Sequence, residues 1–220
     1  MFDLTNLTAA LPELLRGAGT TVSLAACAML LSWAVGIIVA TGLIAPAAAW
    51  RRAATVYVSF MRGTPALVQL FLIFFALPLI GVKVPPFLAA AITLGMNSGA
   101  YVAEILRSGL QSLPVGQVEA AEAMGMSRRH VWTRVLLPQA IRVSLPSLTN
   151  ELTLLVKTTP LASVVAVTEL TFAGQIVVAR TFEPTEVLLA VALAYFLLNQ
   201  SIVLTSNLIE RGLQPARRAR

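Results

Sequence analysis

Apolar positions run along this chain in long, almost uncharged blocks, and the polar residues gather in a few short clusters between them. The first block covers about 18–45. The second, roughly 53–80, is interrupted by Arg62-Gly63-Thr64-Pro65, so 47–60 reads as an amphipathic approach and 65–80 as the crossing. The third runs over about 86–107 behind Pro85-Pro86, a placement that suits the first turn of a helix. After a polar segment at about 112–138, a fourth passage needs most of 139–178 and is broken near Lys157-Thr158-Thr159-Pro160; a fifth covers about 186–208 and ends at Glu210-Arg211 and a basic tail. A helix crosses a bilayer in about 20 apolar residues, so the pattern predicts an all-α membrane protein, a single transmembrane domain over 1–220 with five spans. Residues 1–17 are short and mixed, without the basic start and cleavage site of a signal peptide. No repeat of 20–50 residues is visible.

Composition agrees. Hydrophobic residues make up 57% and charged residues 12%, with mean hydropathy +0.81, whereas soluble domains carry roughly 25% charged residues. The net charge of +6 raises nucleic acid as a partner, but where charges fall decides more than their sum. On a five-span reading, Arg51, Arg52, Arg62, Arg107, Arg128, Arg129, Arg134, Arg142, Arg211, Arg217, Arg218 and Arg220 share one face; Arg16, Lys83 and Arg180 lie on the other, and Lys157 falls within a span. Positive residues favour the cytoplasmic side, so the N-terminus is expected outside and the C-terminus inside. The single cysteine, Cys27, excludes an intrachain disulfide and a cysteine metal cluster.

The polar segment reads as two short helices. Pro114 opens the first, Gly125 allows a bend, and Ser127 is placed to cap the second through a free backbone N–H. Val131, Trp132, Val135 and Leu136 form one stripe of that second helix, with Arg128, Arg129 and Arg134 largely off it. A rigid bent pair suits the transfer of force from a moving partner. The same pattern also fits an amphipathic helix resting on lipid. A DNA-binding helix-turn-helix is a poor fit with spans on both sides.

Polar groups at membrane depth are costly and usually serve a pathway or a helix pair. Asn97 lies eleven residues past Pro86, roughly 16 Å into the third span at 1.5 Å per residue. Glu151 lies nine residues past Arg142, about 13 Å from the opposite face by the same rise. Both land near the midplane of a core about 30 Å thick. There a carboxylate can hold an ammonium group and an amide can hold a carboxylate. The alternatives are that Asn97 bonds a neighbouring helix and that Glu151 pairs with Lys157. Leu155, one turn after Glu151, adds no second acid to that face. Glu104 and Arg107, spaced i,i+3, read as a structural salt bridge at the inner end of the third span. Glu169 reads as a solvated charge on the outer side, and His130 stands alone without metal-ligating partners. No G-x-x-x-x-G-K-[ST] phosphate loop is present.

The run Glu119-Ala120-Ala121, three residues, Gly125, nine residues, then Val135-Leu136-Leu137-Pro138 resembles the loop by which permease subunits of ABC importers dock their ATPase, with Val135 where isoleucine is usual. Phe60-Met61-Arg62-Gly63-Thr64-Pro65 with Leu67-Val68-Gln69-Leu70-Phe71 is similar to the second-span signature of polar amino acid permeases of the histidine/glutamine/arginine type. The stretch from Gly99 to Gly109, Leu137-Pro138-Gln139-Ala140, Leu145-Pro146, Asn150-Glu151 and Lys157-Thr158 extend the resemblance over roughly 15–212. Thr159-Pro160-Leu161 departs from the more frequent Thr-Ser-Leu. The resemblance implies a MetI-like, type I importer permease in a bacterial inner membrane. It further implies that two copies, or this chain and a relative, form the pathway, with two ATPase subunits inside and a soluble binding protein outside. Glu119, Ala120, Ala121 and Gly125 would then couple to the ATPase, and Asn97 and Glu151 would contact the amino-acid substrate. ATP and magnesium would sit in the ATPase, leaving this chain without a cofactor. An ion-coupled carrier or channel is the other functional reading, with Glu151 alone as its intramembrane acid. A membrane-embedded enzyme lacks a nucleophile–base pair or metal cluster.

Overall fold

The computed structural model describes residues 4–213, and among them there are helices and no strands. The N-terminus and the tail bearing Arg217, Arg218 and Arg220 lie outside the described residues. Helix α1 (Leu4–Leu43) is followed by α2 (Ala48–Gly63) and α3 (Ala66–Phe71), which continues through a π-turn and a 3₁₀ turn to Ile80. Then come α4 (Pro86–Gln111), α5 (Gly116–Ala123), the short α6 (Arg128–His130) and α7 (Leu137–Thr158), the last two joined by a π-turn over Val131–Leu136. Helices α8 (Leu170–Thr181) and α9 (Pro184–Leu213) complete the chain.

Helix α4 is the centre, buried by α1 and α7 and flanked by α2 and α3. Its core-facing positions are small: Ala89, Ala90, Ala100 and Ala103 are fully buried. Lipid is as apolar as leucine and gives packed helices no hydrophobic preference for each other, so association rests on close backbone approach and interhelical hydrogen bonds. The α1–α4 contact shows both. A Cβ on Gly95 would lie 2.8 Å from the Ala28 carbonyl oxygen, and one on Gly36 would lie 2.5 Å from Val102 Cγ1. Ser32 on α1 donates to Ser98 on α4 at 3.0 Å. The pairings 28–95, 32–98 and 36–102 advance together, so α1 and α4 run parallel.

By length and composition, Thr8–Leu43 and Pro184–Gly212 are each long and apolar enough to cross a membrane. Two bent pairs qualify as broken spans: Ala48–Gly63 with Ala66–Ile80, bent by 104°, and Arg128–Val165 with Leu170–Thr181, bent by 54°. Helix α4 stands apart from this set because Gly95, Asn97, Ser98 and Gly99 dilute its hydropathy, as befits a helix that faces protein.

Three boundaries differ from the sequence reading. Helix α1 starts at Leu4, not near 18, because Ala10 and Leu14 bury against α8 and α9 and Glu13 pairs with Arg180. The second helix of the polar segment is not a separate short element but runs through the π-turn into α7. At the break expected at 157–160 the α-helix does end, at Thr158, but the chain goes on as a 3₁₀ segment and bends only at 166–169. Pro160 sits in the opening turn of a 3₁₀ segment, Thr159–Val165, where its missing N–H costs little, and the chain turns instead at Ala166, with φ 61°.

Glu169 then caps α8, and the expected solvated charge is corrected: the residue is 0% exposed. Its carboxylate accepts from the backbone N–H groups of Phe172 at 2.7 Å and Thr171 at 2.9 Å, and from the Tyr195 hydroxyl at 2.7 Å. A helix N-terminus offers free donors and a positive dipole end, which together compensate a buried acid. Leu170 N–H donates to Thr21 on α1, so the break is fastened to two neighbours.

The α1–α4 contact gives a direct test. Gly95→Val forces the two helices apart and is expected to destabilise the detergent-solubilised protein by about 1–3 kcal/mol, the usual range for overpacking. An unchanged thermal unfolding midpoint would contradict the close approach.

Candidate functional site

Two polar centres lie on adjacent faces of α4. The first contains Glu151 on α7, 7% exposed. Its Oε1 accepts from the Ser98 hydroxyl at 2.7 Å, and Ser98 in turn accepts from Ser32, so one relay ties α1, α4 and α7 together. Among the described residues Oε2 accepts no hydrogen bond, and it is not sealed off from its surroundings. The alternative pairing with Lys157 is not formed: no ion pair joins them among the described residues, and Lys157 is exposed. Glu151 is thus a held carboxylate with one oxygen still available, which can take a cationic group.

Asn97 belongs to the second centre, and there the neighbouring-helix reading describes it. Its Nδ2 donates to the Met61 carbonyl at 2.8 Å and to Gln69 Oε1 at 3.1 Å. Gln69, itself buried, donates from Nε2 to Met61 O at 3.0 Å and Thr64 Oγ1 at 2.8 Å. The 104° bend between α2 and α3 frees carbonyls that an unbroken helix would satisfy, and in a bilayer such groups need partners from the protein. The two amides supply them. Both Asn97 amide hydrogens are committed to this clasp, so in this conformation its carbonyl, not its N–H, remains to meet a ligand.

Below these centres α4 and α7 border a groove of about 630 Å³ lined by Arg62, Tyr101, Glu104, Arg107, Ser108, Ser144 and Ser147 among others. Asn97, Tyr101, Glu104 and Ser108 follow the i, i+4, i+7, i+11 spacing of one helix face, and Ser144, Ser147 and Glu151 follow i, i+3, i+7 on α7. The expected Glu104–Arg107 bridge forms, at 2.7 Å. Arg62, at the end of α2, joins it: its guanidinium lies 5.2 Å from the Tyr101 ring centroid and 3.9 Å from Glu104 Oε1.

At the same end of the molecule sits the elbow of α5 and α6. Gly125 takes φ +75°, the left-handed conformation glycine adopts freely. Met126 N–H bonds Ala121 O and Gly125 N–H bonds Glu122 O, the Schellman closure of a helix. Ala121 is buried with Val131 and Leu136, whereas Glu119 and Ala120 are exposed. Two expectations change. Ser127 does not cap the second helix through a backbone N–H; its hydroxyl meets His130 Nδ1 at 3.0 Å. Trp132 leaves the buried stripe because the π-turn widens the period and aligns Val131 with Leu136, five residues on.

Ser32 and Ser98 are not marked out by the sequence, and Arg62, Thr64 and Gln69 read there only as parts of a break and of a family-like run, not as members of a polar centre. Serine and threonine in apolar runs carry no periodic signal. Gln69 was the legible one, a lone amide in an apolar block just after a Gly-Thr-Pro break. Among the described residues no group of three metal-ligating side chains exists.

These features define a helical membrane subunit with polar groups along an interior groove and an exposed elbow at one end. The chain belongs to the family of binding-protein-dependent transport system inner membrane components, whose model matches residues 8–215. It is 34% identical to the probable amino-acid ABC transporter permease protein YckA of Bacillus subtilis, over 91% of this chain and 88% of that protein. It is 37% identical to the L-cystine transport system permease protein TcyB of the same organism, over 92% and 87%. Among solved structures it is similar to an amino acid ABC transporter crystallised with histidines, with a TM-score of 0.90 and 32% identity over 96% of this chain and 99% of that one. The MetNI methionine ABC transporter shares the fold, with a TM-score of 0.77 at 21% identity over 92% and 97%.

The clasp predicts the effect of removing its amide. Asn97→Ala deletes two hydrogen bonds and is expected to destabilise the solubilised protein by about 1–3 kcal/mol. A thermal unfolding midpoint equal to that of the parent would show that the α2–α3 bend does not depend on it.

Proposed function

We propose that this chain is one permease subunit of an ATP-driven importer of amino acids or their close derivatives. It crosses the bacterial cytoplasmic membrane five times, with its N-terminus outside and its C-terminus inside. The observation that carries this reading is the near end-to-end likeness to an amino acid ABC transporter, supported by the relatives named above. The crossings would be α1, the α2–α3 pair, α4, the α7–α8 pair and α9. The Glu13–Arg180 end, which holds the turn before α9, and the elbow end then lie on opposite faces, in line with the distribution of arginines.

Five helices enclose a poor pathway, so a second copy or a homologous permease completes it. Two ATPase subunits dock at the elbow, where Glu119 and Ala120 are exposed and Gly125 and Ala121 fix its shape. They bind the ATP and Mg²⁺; this chain holds no cofactor. A soluble binding protein delivers substrate from outside, and nucleotide-driven closure of the motors switches the permease pair between outward and inward access. At the midplane Glu151 pairs with the substrate ammonium, and Asn97 contributes a neutral hydrogen bond through its remaining carbonyl. An ion-coupled carrier gains nothing from the family match, and the only buried acids besides Glu151 among the described residues reduce to the capped Glu169.

Reconstitution of the permease with its ATPase and binding protein in vesicles tests the reading. Uptake of a labelled amino acid is expected to require ATP on the ATPase side. Glu151→Gln keeps the shape and is expected to lower uptake by more than tenfold, because removing one member of a desolvated charge pair strands the other. Uptake driven by an ion gradient without ATP would contradict the function, and wild-type uptake by Glu151→Gln would place the ammonium site elsewhere.

A further inference from the structure

The charged cluster at the inner end of α4 is not accounted for by helix packing. A structural ion pair closes on itself, and Glu104 with Arg107 does so through Oε2, which accepts from Arg107 Nε at 2.8 Å and lies 2.7 Å from its terminal nitrogen. Arg62 does not close in this way. It stands 3.9 Å from Glu104 Oε1, beyond hydrogen-bond reach. Among the described residues it donates no hydrogen bond, although the Tyr101 ring holds its guanidinium in place. Glu104 Oε1 likewise accepts none. A guanidinium and a carboxylate oxygen that share only a loose ion pair, and make no hydrogen bond among the described residues, therefore line one polar groove of about 630 Å³, a volume within the usual range for small-molecule sites.

We infer that this mouth is a second subsite for a zwitterion with a carboxylate and an ammonium on the same carbon, lying cytoplasmic to Glu151. Arg62 takes the carboxylate, for which a planar guanidinium offers paired donors. Glu104 Oε1 takes the ammonium, and Arg107, holding Oε2, positions Glu104. The subsite lies seven residues along α4 from Asn97, about 10 Å nearer the elbow end at 1.5 Å per residue. Substrate leaving the midplane thus meets a second pair of complementary charges before reaching the cytoplasm. This inference rests on the proposed import of amino acids. It adds a place where product accumulated inside can bind and slow further import.

The test uses the complete complex in vesicles with the ATPase facing the lumen. It uses whichever of L-glutamine, L-arginine and L-cystine is imported fastest. Uptake is measured against rising luminal concentrations of that amino acid, of its carboxamide, which lacks the carboxylate, and of its N-acetyl derivative, which lacks the ammonium. The wild type is expected to be inhibited by the free amino acid at concentrations about tenfold lower than by either derivative, as for loss of one charge-assisted hydrogen bond. In Arg62→Gln the preference over the carboxamide is expected to collapse toward one. In Glu104→Gln the preference over the N-acetyl derivative collapses instead. A bracing role for these residues would alter unfolding temperature and leave both ratios unchanged, and unchanged ratios in the variants overturn the subsite. So does a wild type that imports but shows no luminal inhibition. A wild type that imports none of the three contradicts the import reading itself, and the subsite falls with it.

Discussion

Inside a bilayer no water satisfies a polar group that the fold leaves open, and this constraint explains where the chain places its serines, amides and acids. The relay from Ser32 through Ser98 to Glu151 requires α1, α4 and α7 to approach closely. That approach depends on side chains as small as those of Gly95, Gly99 and Ala28 at the contact. Each interior acid is held in a different way. Glu169 is satisfied by the start of α8 and by Tyr195, whereas Glu151 keeps one oxygen without a partner. The contrast separates a fully satisfied carboxylate from one with an oxygen left open.

The same constraint accounts for the α2–α3 bend. A helix broken by Gly63-Thr64-Pro65 exposes carbonyls at membrane depth, and Gln69 and Asn97 cover them. The bend is thereby fastened to α4, the helix that also borders the groove. At the other end, Arg128 to Val165 forms one helical run, so the elbow and Glu151 lie on one continuous element. Its π-turn at Val131–Leu136 is the irregularity between them.

Much of this architecture could be read from the chain. The apolar blocks located α4 and α9, and the Pro-Gly cluster at 62–65 marked the bend between an amphipathic approach and a crossing. Gly125 marked the elbow, because only a residue free to adopt positive φ closes that turn readily. What escaped the reading had tertiary causes. The extra turns at the start of α1 exist because Leu14 and Glu13 find partners more than 150 residues away. The α-helix of the fourth passage ends at Thr158, as its sequence suggests, but the bend comes later because proline opens a 3₁₀ segment at little cost and Glu169 supplies the cap that begins a new helix. The role of Asn97 turned on Gln69 and the Met61 carbonyl, contacts that no spacing along the chain encodes. For Glu151, depth was legible, but its partner Ser98 was not.

Import through this chain requires the two ends of the molecule to lie on opposite sides of the membrane, with Glu151 between them. Single cysteines at Met124, in the elbow, and at Thr185, at the start of α9, report this in a Cys27→Ser background when probed in intact cells with a membrane-impermeant maleimide. Thr185→Cys is expected to label in intact cells, and Met124→Cys only after the membrane is opened. Labelling of both positions from the outside, or of neither until the membrane is opened, would contradict this placement.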